Sequence, residues 1–115
     1  MNPHNDEEYA ALLRRVMANA RAIITFEVGV PLGCMRMSRL FTWLKPRRDF
    51  DFPVFEEYLN AVREFAIGRN RLEWNREALL QQDVKLEEVN AAFRDRIHHS
   101  CHDIIQQLRA EAGPI

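Results

Sequence analysis

The chain has 115 residues, enough for one small domain with its own core. An apolar fraction of 47% argues against disorder, and a net charge of −1 gives no general attraction to nucleic acid or to a membrane surface. No run of apolar residues is long enough to span a membrane, and the polar, acidic opening from Met1 to Glu8 does not read as a signal peptide, so a cytoplasmic protein is expected.

Residues 1–5 are expected to fray. Asn5 or Asp6 can cap a first helix whose opening turn holds Glu7 and Glu8. Tyr9, Leu12, Leu13, Val16, Ala20, Ile23 and Ile24 repeat at the helical period, with Arg14, Arg15 and Arg21 on other faces. This helix is expected to end near Glu27, before Gly29, and the segment from Val30 to Gly33 marks a kink or tight turn. A second helix follows over about 32–44. It is apolar around much of its circumference, which predicts a central place in the fold. Met35, Met37, Trp43 and the phenylalanines accordingly read as core.

Lys45 to Asp51 reads as a charged loop. Pro53 suits the first turn of a third helix, whose buried side would be Phe55, Tyr58, Leu59, Val62, Phe65 and Ala66, with Gly68 as its stop. Arg69 to Trp74 forms a connection rich in arginine. Asn75 can cap a short helix, Arg76 to Gln82, that runs into the last and longest one.

That last helix is predicted from Asp83, as N-cap, to Ala112, with Gly113 and Pro114 as its stop. Its apolar stripe is Leu86, Val89, Phe93, Ile97, Cys101, Ile104 and Leu108, spaced by three or four residues throughout. Asn90 falls near the stripe centre and needs a partner if it is buried. So long a stripe must be covered by other helices. The whole chain, 1–115, therefore reads as a single all-α domain, an antiparallel bundle of four to five helices. Cys34 and Cys101 both lie in apolar patterns and read as buried free thiols of a reducing compartment.

Chemistry-bearing residues concentrate between Arg94 and Asp103, where three of the four histidines stand within five positions. His98 and His102, four apart, share a helical face as two metal ligands would. Their local sequence supplies no third ligand, and the position a metalloprotease glutamate would occupy is filled by His99. The plainer reading is a solvated face: His99, Asp95 and Asp103 lie far from the stripe, and Arg94 and His98 border it. The pairs Arg36/Arg39 and Arg47/Arg48 could meet phosphate or an acidic protein. There is no glycine-rich phosphate loop and no Cys-x-x-Cys, and no cofactor is expected.

Arg94-x4-His99, with the polar Asp95 after the arginine, resembles the Arg-x4–6-His signature of the HEPN family of small helical ribonucleases, and Arg96 to His102 fits the same spacing. The resemblance implies metal-independent RNA cleavage. A histidine (His99 or His102) would move a proton while an arginine steadies the phosphate. Arg94 and His99 sit about 140° apart on a helix, so a shared dimer cleft would have to collect them. Ala20 to Leu40, Asp51 to Tyr58, Arg71 to Trp74 and Phe93 to Asp95 resemble small helical bacterial proteins without an assigned reaction, some of that build being immunity proteins that plug a toxin. That likeness carries no site residue. The expected function is a small protein-binding module, in one form an immunity-type inhibitor, without catalysis. Its partner would be another protein or a second copy of itself. RNA becomes a partner only on the ribonuclease reading with Arg94 and His99.

Overall fold

The computed structural model describes residues 5–65 and 75–112, and among these the fold is all-α, with four helices and no strand. Helix α1 spans Asp6–Ile24, α2 Val30–Leu44, α3 Val54–Ala61 and α4 Arg76–Ala112. The expectations for residues 1–4, Ala66, Gly68, Arg69 to Trp74 and the stop at Gly113 and Pro114 lie outside the described residues. No described helix is long and apolar enough to cross a membrane.

α1 begins where its sequence offers a cap. The Asn5 side chain accepts hydrogen bonds from the backbone N–H of Glu7 and Glu8, at 2.8 and 3.2 Å, and three acids fill the first turn. It ends earlier than its apolar pattern suggests. Thr25 caps the last turn, and Phe26 takes the left-handed conformation with φ 62°. The reversal therefore occupies residues 25–29, not the segment from Val30 to Gly33. Pro31 lies in the first turn of α2, where its missing N–H costs nothing. Gly33 lies inside α2 and permits close packing. A Cβ there would stand 2.5 Å from Ile23 Cγ1, so α2 can approach α1 only without one. The Gly33 carbonyl also accepts a hydrogen bond from buried Asn19 Nδ2 at 2.9 Å.

α4 starts at Arg76, not at Asp83. The Asn75 side chain accepts from Ala78 N–H at 2.8 Å. The seven residues from Arg76 to Gln82 contain no glycine, proline or β-branched residue, so nothing interrupts the helix before Asp83, which lies in its interior. Its 37 residues run the 50 Å length of the molecule. The predicted stripe is buried at Ile97, Cys101, Ile104 and Leu108, and half-buried at Leu86, Val89 and Phe93. Leu80 and Val84, nearer the start, are exposed. Asn90 is buried and accepts a hydrogen bond from the Tyr58 hydroxyl of α3. Burial pushes the Tyr58 phenol well above its usual range.

α3 is shorter than the sequence suggests: Val62 leaves the helix after Ala61, and Phe65 closes a turn back to Val62. The connection from α2 to α3 is more than a charged loop. Phe50 stacks on Phe41 with centroids 4.7 Å apart, and Phe52 and Phe55 complete the aromatic group. Arg47 pairs with Asp6 at 2.7 Å and lies over the Tyr9 ring, and Arg48 pairs with Glu111. These two arginines thus hold the start of α1 and the end of α4 to one loop.

The core joins Leu12, Val16, Ala20 and Ile23 of α1 to Cys34, Met37, Leu40 and Leu44 of α2, with Phe55 and Tyr58 of α3 and the α4 stripe. α1 packs on both α2 and α4, whereas α2 packs chiefly on α1 and α3 and only lightly on α4. α2 thus touches all three other helices, as its predicted central place requires, but it is not enclosed by them. One face of it is left to solvent, and Leu32, Met35 and Trp43, read from sequence as part of a central helix, are exposed there.

Candidate functional site

α4 carries its histidines on diverging faces. Arg94 is half-buried and pairs through Nη2 with Glu87 at 2.8 Å. His98 is half-buried on the same side, its ring 5.3 Å from that of Phe26 and tilted by 53°. Arg94 Nε and His98 Nε2 are buried atoms without a hydrogen-bond partner among the described residues. Burial, with Arg94 and His102 adding repulsion, lowers the His98 pKa below the usual histidine value, and Asp95 opposes the shift. His102 is exposed.

His99 faces another way. It is exposed, with Nε2 3.4 Å from Asp103 Oδ2. It opens on a groove of about 600 Å³ that also holds Asp95, Arg96, Ser100 and Phe52. Arg96 is paired with Glu57 and lies over the Phe93 ring at 5.4 Å. Within one chain, then, Arg94 stands with His98 and His99 stands with Arg96. Arg94 and His99 do not share a cavity. No three histidine, cysteine, aspartate or glutamate side chains cluster as metal ligands among the described residues, and His98 and His102 draw no third from the packing around them.

A second site lies between α1 and α2. On α2, Leu32, Met35, Arg36, Arg39 and Trp43 fall within an arc of about 100°, centred about 120° around the helix from the buried Gly33, Met37, Leu40 and Leu44. Arg15 of α1 reaches across, with its guanidinium 5.6 Å from the Trp43 ring centroid. Ala18 and Ala22 keep the facing surface of α1 low, and a groove of about 530 Å³ opens above them. Arg15, Arg36 and Arg39 line it with no carboxylate partner among the described residues, although Glu27 lines it too. The arginines around the histidines and in the α2–α3 loop are engaged with acids, and what sets this trio apart from them is that it shares one groove with an exposed tryptophan.

This face was open to sequence reasoning in part. The pair Arg36 and Arg39 was visible, and Arg47 and Arg48 looked equivalent until the fold paired them with Asp6 and Glu111. Trp43 was hidden by its residue type: a large aromatic suggests core, whereas the wheel of α2 alone places it with Leu32 and Arg36.

The chain matches no protein-family model, no curated protein and no solved structure.

Proposed function

We propose that this protein acts by binding another protein, through the outward face of α2 and the groove beside it. The observation that carries this reading is the group of three arginines, without carboxylate partners among the described residues, that share a groove with an exposed tryptophan, continued along the helix by Leu32 and Met35. Tryptophan, arginine and methionine are the residues that binding surfaces concentrate, and an apolar strip edged by charge is their usual arrangement. The packing of the four helices is best read as an antiparallel bundle, with α2 as the helix left partly uncovered. An immunity-type inhibitor is one form of this function. The test is capture from the native host by wild-type protein and by Trp43→Ala. A specific partner retained by the first and lost by the second is expected. Recovery of nothing but the protein itself overturns the proposal.

The ribonuclease reading keeps one observation in its favour. His98 stands beside Arg94 with an unpartnered ring nitrogen, and its lowered pKa favours the neutral form a general base needs. That pair is one residue short of the family spacing, and Arg94 is already engaged with Glu87. Incubation with RNA separates the two readings. Cleavage that is lost in Arg94→Ala and in His98→Ala or His99→Ala favours the nuclease, and an inert wild-type protein removes it.

A further inference from the structure

The groove between α1 and α2 has a chemistry that names its occupant more closely. We propose that it receives an acidic amphipathic helix of a partner protein, with carboxylates on Arg15, Arg36 and Arg39 and an apolar side chain against Trp43. The inference rests on the protein-binding reading above and adds the class of partner.

Charge complementarity carries the argument. Arg15, Arg36 and Arg39 line one groove without an ion pair to any described residue, and the one carboxylate lining the same space, Glu27, forms no ion pair with any of them. Guanidinium groups take carboxylates in a two-pronged grip, and they desolvate at lower cost than ammonium groups. The spacing suits a helix. Arg36 and Arg39 are separated by about 4.5 Å of rise along α2, and carboxylates one turn apart on a partner helix lie about 6 Å apart. Trp43 lies a further turn along the same face, so a leucine or phenylalanine flanking those acids would meet its ring.

Nucleic acid would also bring negative charge, but the rest of the face does not suit it. Leu32 and Met35 continue the strip with apolar surface that a phosphate backbone cannot use. The chain as a whole carries a net charge of −1, so no long-range field supports the three arginines.

The experiment uses the full chain and three probes: a synthetic amphipathic helix of leucine and glutamate, the same peptide with glutamine in place of glutamate, and oligouridylate. Titration calorimetry should show binding of the acidic peptide, weakening as salt is raised, and at least about tenfold weaker in Arg36→Glu/Arg39→Glu. The glutamine peptide should bind far less. Should the double variant lose helicity by circular dichroism, Arg36→Gln/Arg39→Gln removes the charge without reversing it. Absence of acidic-peptide binding, equal binding of the glutamine peptide, or preferential binding of oligouridylate each overturns the inference. Partner capture separates this from the broader reading. A captured protein lost with Trp43→Ala yet unaffected by Arg36→Glu/Arg39→Glu would sink the acidic helix and leave protein binding standing.

Discussion

His98 is held half inside the protein, against Phe26 and close to Arg94 and His102. Burial first, then those two neighbours, keep its folded-state pKa below the value it has in the unfolded chain, with Asp95 pulling the other way. At a pH above the ordinary histidine value both states are neutral and nothing is lost. As pH falls through that value, the unfolded chain takes up the proton first, so stability declines until the folded pKa is passed. Thermal melts between about pH 7 and pH 5 should show this decline, and His98→Gln should flatten it. Equal pH profiles for the two proteins would contradict the account. The placement of His98 at the margin of the buried stripe, and of His99 outside it, was legible from helical spacing alone. Its contact with Phe26 was not, because it depends on a left-handed backbone turn 72 residues away in the chain.

Between elements, the tightest approach is where Gly33 of α2 meets Ile23 of α1. Gly33→Ala should cost about 1–3 kcal/mol, since the added methyl must displace a packed isoleucine. Urea denaturation of the single and double variants checks this: the penalty should shrink when Ile23 is also cut to alanine, because the two changes share one space. Equal penalties in both backgrounds would place the cost elsewhere. Sequence reading found the helices because their signals are local. Apolar spacing gave each one its period, and Asn5 and Asn75 each cap a helix with their own side chain. Asp83 misled because capping chemistry works only where the preceding backbone is not helical, and the residues from Arg76 onward are strong helix formers. Gly33 misled similarly, as a glycine in a helix can mark either a turn or a neighbour pressed close.

At the scale of the molecule, α2 and α4 bring Cys34 and Cys101 together in the core, both as free thiols. Burial pushes each thiol up to about 12, and Cys101 adds to the effect on Cys34. Neither should react with Ellman's reagent in the native protein at neutral pH, and both should react on unfolding in urea. Rapid labelling under native conditions would contradict this packing. That each cysteine belonged to an apolar face was legible in the sequence. Their meeting was not, since it follows from how two helices far apart in the chain are packed. The candidate binding face escaped for a related reason: which side of α2 stays bare depends on α4 covering α1 more than α2. The length of α4 has one more effect. The radius of gyration is 15.6 Å, against about 13.4 Å for a rounded chain of this length. A lone copy therefore drags through water like a heavier particle. A gel-filtration column, which sorts by drag, will report more than 13.6 kDa for a monomer. Light scattering weighs the particle instead, so it is the method by which to count copies before any elution peak is taken for a pair.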